Sequence, residues 1–169
     1  AISEVQTAAV QGALLAILVL YLFLRRARVT LIIAVTIPAS VLITFAMMRL
    51  FEISLNVMSL GGIALAVGML MDNAIVVLEN ITRRRESGEG QKQASELGSS
   101  EVSGAVLAST LTTIAVFLPL AFVEGVAGQL FKDQALTVTF ALMASLLLAT
   151  SLIPMLSALG ASAETVSAE

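Results

Sequence analysis

Residue types that commonly build disulfides and metal sites are missing from this chain, and charge is scarce. The 169 residues include no cysteine and no histidine, and only 12% are charged. The chain can therefore form no disulfide, and it lacks the usual ligands of zinc and haem. Soluble domains carry roughly 25% charged residues, whereas 58% of this sequence is hydrophobic. The composition predicts an integral membrane protein without a cofactor, a metal site or a nucleic-acid partner.

Recognisable catalytic motifs are also missing. The sequence contains no Gly-rich phosphate loop, no nucleophile elbow and no pair of acids at metal-binding spacing. We therefore expect that the chain is not an enzyme.

Five apolar runs are long enough to cross a bilayer as helices, which requires ~20 residues each. They lie at about 8–24, 29–48, 57–78, 102–123 and 135–156. A polar, solvated connector at 82–101 separates the third run from the fourth, and its residues 91–97 are predicted to form a short surface helix. The prediction is an all-α polytopic membrane helix bundle with about five transmembrane helices and a short cytoplasmic connector helix. We expect residues 1–169 to be a partial transmembrane domain.

The distribution of Lys and Arg predicts the orientation. Seven of these residues flank one side of the predicted membrane and two the other. The seven are Arg25, Arg26, Arg28, Arg83, Arg84, Arg85 and Lys92, and the two are Arg49 and Lys132. Because the side richer in Lys and Arg is normally cytoplasmic, we place the N-terminus on the outer face and the C-terminus in the cytoplasm. An outer N-terminus suggests a preceding helix, and therefore a longer protein.

An acid, Asp72, lies in the third run. Asp at the centre of a spanning helix costs about 2.5 to 3.5 kcal/mol on insertion scales, so another group must compensate for it. One alternative is that the carboxyl hydrogen-bonds to a neighbouring helix and only holds the bundle together. The other, which we favour, is that it gains and loses a proton as the protein moves.

Helical spacing places small residues on the same face as Asp72. That face comprises Gly61, Leu65, Gly68, Asp72, Val76 and Glu79, which follow steps of three or four. Because glycines let another helix approach closely, we predict that Asp72 is buried against a partner helix, with Gly61 and Gly68 supporting the packing. A second stripe of Gly62, Ala66 and Asn73 lies roughly 100° away, which predicts a second packed side.

The second run contains Pro38 and three hydroxyl residues, Thr36, Ser40 and Thr44, that share one helix face. Pro38 is expected to kink the helix by removing a backbone hydrogen bond. The hydroxyls could bond to backbone carbonyls around the kink or line a substrate path, and we favour the first interpretation.

The motif GGIALAVGMLMDNAIVVLENI, residues 61–81, closely resembles the fourth-helix signature of the resistance-nodulation-division efflux transporters. Other segments are similar to further parts of that family. YLFLRRARVTLIIAVTIPASVLITF resembles its second and third helices, FLPLAFVEGVAGQLFKDQALTV its fifth-to-sixth junction, and SLIPMLSA the end of its sixth helix. The chain thus resembles transmembrane helices 2 to 6 of the N-terminal half.

The resemblance implies the membrane part of an inner-membrane pump that exports hydrophobic or amphiphilic compounds in exchange for protons. Asp72 falls on the family's proton-relay acid, whereas Asn73 stands where many drug-exporting members have a second acid. The family further implies a homotrimer with a periplasmic adaptor and an outer-membrane channel. It also implies a second helical half, which supplies the basic partners of the acid, and periplasmic domains that this sequence lacks.

Two other interpretations remain open. The chain could be a non-transporting scaffold or accessory membrane protein derived from such a bundle, in which Asp72 is only hydrogen-bonded. It could also belong to a related proton-coupled module for protein export or lipid movement. These alternatives share the lipid bilayer as a partner but differ in cargo and in the role of Asp72.

Overall fold

The computed structural model describes residues 18, 21, 22 and 27–159. Within residues 27–159 there are five α-helices and one short 3-10 helix. The α-helices are α1 (Ala27–Leu50), α2 (Val57–Glu86), α3 (Gln91–Phe117), α4 (Val126–Thr150) and α5 (Leu152–Leu159), and the 3-10 helix Leu118–Phe122 follows α3. No strand occurs in these residues, and the all-α prediction is confirmed. Most of the predicted first span, 8–24, lies outside the described residues.

Four stretches of the described chain are long and apolar enough to cross a membrane. They are Arg28–Leu50, Val57–Glu86, Gln91–Phe122 and Leu130–Leu159, with 23 to 32 residues each. At 1.5 Å per residue the shortest is about 35 Å long, which exceeds the ~30 Å hydrocarbon core of a bilayer. The predicted polytopic bundle is confirmed for this part, and the membrane boundaries along each helix stay predictions.

The predicted short connector helix is part of a longer one. Residues 91–97 form the first turns of α3, which continues to Phe117. The sequence between 91 and 101 contains one glycine and no proline, so little in it opposes a continuous helix. The turn before α3 contains Gly88 with φ of 93°, a left-handed conformation that glycine adopts without steric cost.

α1, α2, α3 and α4 run antiparallel to their chain neighbours, and side-chain contacts at both ends of the bundle show this. The Arg28 guanidinium and the Gln91 amide both donate to the carbonyl of Ser157, at 3.0 and 2.6 Å. The starts of α1 and α3 therefore lie beside the end of α5. At the opposite end, the Asn56 amide donates to the Asp133 carboxylate at 2.5 Å, which joins the start of α2 to α4.

The helix α4 is the most enclosed. In the most apolar part of the stretch Leu130–Leu159, which contains most of α4, 56% of the residues are buried. The corresponding part of Gln91–Phe122, which contains α3, has 11% of its residues buried. The apolar core draws on all five helices, and its buried members are Ile32, Ile33, Ala74, Val77, Leu78, Ile81, Val106, Ala149 and Ile153. α2 packs against this core with one side only.

The hydroxyl face of α1 is satisfied inside the helix. Pro38 lies within α1, which continues on both sides of it. The hydroxyls of Thr36, Ser40 and Thr44 donate to backbone carbonyls three or four residues earlier, at 3.0, 2.9 and 2.7 Å. The predicted backbone bonding of these hydroxyls is confirmed.

A break separates α4 from α5. The ring of Pro154 would meet the carbonyl of Thr150, four residues earlier, in a continuous helix. α4 accordingly ends at Thr150 and α5 begins at Leu152. The Ser151 N–H between them still donates to the Leu147 carbonyl at 3.0 Å, so that bond is kept across the break.

Candidate functional site

The helix α2, which carries the acid, begins with a capping box. The Asn56 side chain accepts the Ser59 N–H at 2.9 Å, and the Ser59 hydroxyl accepts the Asn56 N–H at 2.9 Å. This reciprocal arrangement satisfies two backbone donors that a helix start leaves free. Because Asn56 also bonds to Asp133 of α4, the start of α2 is held against α4.

Asp72 lies near the middle of α2 on a face that the described chain leaves uncovered. We call this the open face, and it consists of Gly61, Leu65, Gly68, Asp72, Val76 and Glu79, all of which are exposed. Leu65 and Val76 are each 43% exposed. The predicted burial of Asp72 is therefore not provided by residues 27–159, because the described helices pack on the other side of α2. No hydrogen bond or ion pair joins Asp72 to that part of the chain.

The two glycines predicted to support Asp72 lie in the same open surroundings. A Cβ atom built at Gly61 or at Gly68 would have no described atom within 4 Å. None of the described helices makes the predicted close approach at these positions. The open face thus has the small residues that helix packing uses without a helix packed on it.

The opposite side of α2 is covered. We call it the packed face, and it consists of Gly62, Ala66, Leu70, Asn73, Val77 and Asn80, all of which are buried. A Cβ atom at Gly62 would lie 3.0 Å from the Gln134 carbonyl oxygen and 3.2 Å from the Thr137 Cβ, so α2 and α4 are closest there. The predicted packing of the second stripe is confirmed.

Asn73 is adjacent to Asp72 in sequence but lies in different surroundings. It is 8% exposed, and its amide donates to the Thr110 hydroxyl of α3 at 3.1 Å. The bond joins α2 to α3 at the depth of Asp72. Of the four residues predicted for the site, the structure therefore places Asn73 inside the bundle and leaves Asp72, Gly61 and Gly68 on the open face.

A small cavity lies between α1, α2 and α4. It has a volume of about 10 Å³, and its lining includes the hydroxyl residues Thr36, Ser40 and Ser145 and the apolar residue Leu70. That volume is close to the minimum that holds one water molecule. A drug-sized compound does not fit in this cavity, which agrees with the backbone-bonded hydroxyls of α1.

A polar cluster at the other end of the packed face was not anticipated from sequence. The Asn80 amide donates to the Gly98 carbonyl and to the Glu101 carboxylate, both at 2.8 Å. The Arg84 guanidinium contacts Glu101 at 3.1 Å and Glu89 at 2.6 Å. The segment predicted as a solvated connector is therefore tied to the end of α2.

One signal in the sequence could have identified this cluster. Asn80 follows Asn73 by seven residues, which is two helical turns and returns to the same face. Glu101 lies in the polar segment just before the predicted membrane span at 102–123. The Asn80 amide and then the Arg84 guanidinium hold the pKa of its carboxyl below the ordinary value, because both stabilise the charged form.

No group of three acidic side chains in the described residues is placed to hold a metal ion. The site therefore offers one carboxyl, that of Asp72, in the middle of an apolar helix. The uncharged amide of Asn73 lies next to it in sequence, on the packed face. Such a carboxyl can take up and release a proton, and the amide cannot.

Comparison with known proteins places this geometry in a family. The sequence profile of the AcrB/AcrD/AcrF family matches residues 1–167. The multidrug resistance protein MdtC of Pectobacterium carotovorum is 46% identical over 93% of this chain and 15% of its own length. MdtC of Escherichia coli O139:H28 is 43% identical over 92% of this chain and 15% of its own length. The swarming motility protein SwrC of Bacillus subtilis is 44% identical over 88% and 14%.

The chain thus spans about one seventh of the length of these relatives, while the family profile covers nearly all of the chain. The resemblance carried by the motif at residues 61–81 extends to α1, α3, α4 and α5 as well. This chain belongs to the AcrB/AcrD/AcrF family of resistance-nodulation-division permeases, which are multi-pass proteins of the inner membrane.

Proposed function

We propose that the chain is part of the membrane domain of an efflux pump driven by the proton-motive force, in which Asp72 is the intramembrane proton-relay acid. The observation that carries this proposal is the position of Asp72, near the middle of an apolar helix and on its open face. An acid at that depth is costly unless another group pairs with it or it takes up a proton. A relay requires an acid that alternates between these two conditions.

The counter-charge for Asp72 must come from another part of the transporter. Every Lys and Arg between residues 28 and 159 lies outside the apolar runs, toward the ends of the helices. A carboxyl that changes its charge inside a membrane needs a partner whose charge or position also changes. Gly61 and Gly68 leave room for a helix to approach the open face. We propose that a helix of the second half packs there and brings a basic side chain to Asp72.

The decisive experiment is Asp72→Asn in the complete transporter. Asparagine keeps nearly the same shape and can still hydrogen-bond to a neighbouring helix, but it does not titrate near neutral pH. We expect dye efflux from cells to be abolished while the amount of protein in the membrane stays unchanged.

Asn73→Ala is the matched control, one residue away on the packed face. Asn73 can orient the relay but cannot carry its proton, so we expect at most a partial loss of efflux at matched amounts of protein. If Asp72 only holds helices together, Asp72→Asn would be almost silent, and in a non-transporting scaffold the parent itself would show no efflux. Wild-type efflux from that variant would remove the relay assignment.

We also propose the cargo class and the assembly. Relatives of nearly equal identity are named for multidrug resistance and for swarming motility, so identity alone does not separate cargoes. The family resemblance supports hydrophobic or amphiphilic compounds as cargo, and a homotrimer that works with a periplasmic adaptor and an outer-membrane channel. The mass of the complete transporter in detergent tests the trimer, and competition between such compounds and a dye tests the cargo class.

The proposed orientation puts the turn between α2 and α3 in the cytoplasm. Single cysteines at Ser87 and at Glu124, which are both exposed and lie at opposite ends of the bundle, provide the test. With an impermeant thiol reagent on intact cells, Glu124→Cys should be labelled and Ser87→Cys should not. The reverse pattern would invert the topology.

A further inference from the structure

Both asparagines of the packed face of α2 bond to α3, two helical turns apart. Asn73 donates to Thr110 at 3.1 Å, and Asn80 donates to the Gly98 carbonyl and to Glu101 at 2.8 Å. α3 runs antiparallel to α2, so the later residue of α2 meets the earlier residues of α3. The two contacts therefore belong to one register of the helix pair.

The Asn80 side chain is buried and all of its hydrogen-bonding groups are used, whereas its partners Arg83 and Glu101 are exposed. Asn80 is 5% exposed. Its amide nitrogen donates the two hydrogen bonds to α3, and its amide oxygen accepts a hydrogen bond from the Arg83 guanidinium at 2.6 Å. An asparagine side chain has two donor hydrogens and one acceptor oxygen, and all three groups are used. Sliding α2 along α3 by one residue, ~1.5 Å, would leave the buried amide of Asn80 without these partners, which is costly.

The backbones of α2 and α3 also approach closely at this point. A Cβ atom at Gly98 would lie 2.9 Å from the Ile81 Cα, so glycine is required for the observed approach. Arg84 reaches across from α2 to Glu101 at 3.1 Å. Backbone contact and side-chain bonds thus select the same register.

Asp72 has no such contact of its own within the described residues. It precedes Asn80 by eight residues, which is about 12 Å along the helix and about 80° around it. Because α2 is continuous from Val57 to Glu86, fixing the position of Asn80 also fixes the depth and the rotation of Asp72.

We propose that Asn80 is a positioning residue for the proton relay: with the Gly98 carbonyl and Glu101 it sets the register of α2 on α3 and so holds Asp72 at one depth and rotation. This inference depends on the proposed relay function of Asp72. Asn80 itself stays uncharged and carries no proton.

The register can be measured without transport. In an otherwise cysteine-free complete transporter, Asn73→Cys and Thr110→Cys place two thiols where the side chains now touch, and a short bifunctional thiol reagent joins them. Asn80→Asp loses the bond to Gly98 and sets a carboxylate against Glu101. We therefore expect the cross-linking yield to fall about threefold or more, because losing an average interhelical hydrogen bond changes an equilibrium by about that factor. Asn80→Ala should lower the yield in the same direction, and it replaces Asn80→Asp if that variant does not accumulate.

A reciprocal exchange separates positioning from general damage. Asn80→Asp combined with Glu101→Gln reverses donor and acceptor across the helix pair, and we expect it to restore part of the cross-linking yield. Ser100→Ala is the control, because the Ser100 hydroxyl is exposed and donates only to the Leu97 carbonyl of its own helix at 3.0 Å. Its yield should equal that of the parent.

The same variants, with Asn73 and Thr110 intact, are then compared for dye efflux at matched amounts of protein. We expect Asn80→Asp to lower efflux about three- to tenfold, and Glu101→Gln to recover part of it. Unchanged cross-linking in Asn80→Asp and Asn80→Ala would overturn the inference, and so would normal efflux despite a changed register. If Asp72→Asn retained efflux, the relay function would fail, while the cross-linking yield would still decide whether Asn80 sets the register.

Discussion

The two faces of α2 carry similar residues and have different surroundings. On the packed face Ala66 is fully buried and Leu70 is 4% exposed, whereas on the open face Leu65 and Val76 are each 43% exposed. Each face has glycine and one polar side chain near the middle of the helix. The polar group of the packed face, Asn73, has its partner in the same chain, and that of the open face, Asp72, has none in the described residues.

This difference agrees with the chemistry of the two side chains. An amide keeps one charge state, so a fixed hydroxyl such as that of Thr110 satisfies it permanently. A carboxyl that alternates between charged and neutral forms is not satisfied by one fixed partner in both forms. The comparison teaches that the described helices build the contacts of the packed face, whereas the variable contact that the proposed relay needs would come from another part of the transporter.

The largest effect that can test this comparison is the abolished efflux expected for Asp72→Asn. The next largest comes from the adjacent glycines Gly61 and Gly62. At Gly62 a side chain meets the Gln134 carbonyl oxygen at 3.0 Å, so Gly62→Val should lower the stability of the complete transporter by about 1 to 3 kcal/mol. Gly61→Val should lower the melting temperature in detergent less than Gly62→Val does, because a Cβ atom there meets no described atom within 4 Å. It should still reduce efflux, because we propose that another helix packs on the open face.

These two glycine variants share the same change in volume and differ by one residue in position. Melting temperature and dye efflux at matched amounts therefore distinguish the faces directly. Equal losses of melting temperature in both variants would show that the open face is packed in the same way as the other.

The smallest expected effect concerns the hydroxyl that bonds Asn73. Thr110→Val keeps the shape of the side chain and removes the interhelical bond, for an expected loss of ~0.6 kcal/mol in the free energy of unfolding. The control is Thr112→Val, because the exposed Thr112 hydroxyl donates to the Ala108 carbonyl of its own helix at 2.8 Å. Denaturant unfolding in detergent should show a loss for position 110 and almost none for position 112.

Periodicity predicted both stripes of α2 but not which of them this chain covers. Gly61 and Gly62 are equally small, and the apolar content of the two faces is similar, so neither composition nor spacing separates them. Burial depends on which helices lie beside α2 in space. The sequence could indicate that both faces are suited to packing, and only the fold shows that α3 and α4 pack on the face of Gly62.

The polar segment at 82–101 illustrates a second limit. A high content of charged and small polar residues normally indicates a solvated connector, and Gly88 does lie in a turn. The role of Glu101 depends on its distance from Asn80 and Arg84, which is set by the register of two antiparallel helices. By contrast, the hydroxyls of α1 were predictable, because their partners lie three or four residues away in the same helix.

The carbonyl of Ser157 accepts two hydrogen bonds, from Arg28 and from Gln91, and this has a consequence for biosynthesis. Ribosomes make a chain from its N-terminus, so both donors leave the ribosome well before the acceptor does. Ser157 lies in α5, the last helix of the described chain. We therefore expect the starts of α1 and α3 to stay unjoined during translation until α5 emerges. α5 is then the segment that completes this end of the bundle.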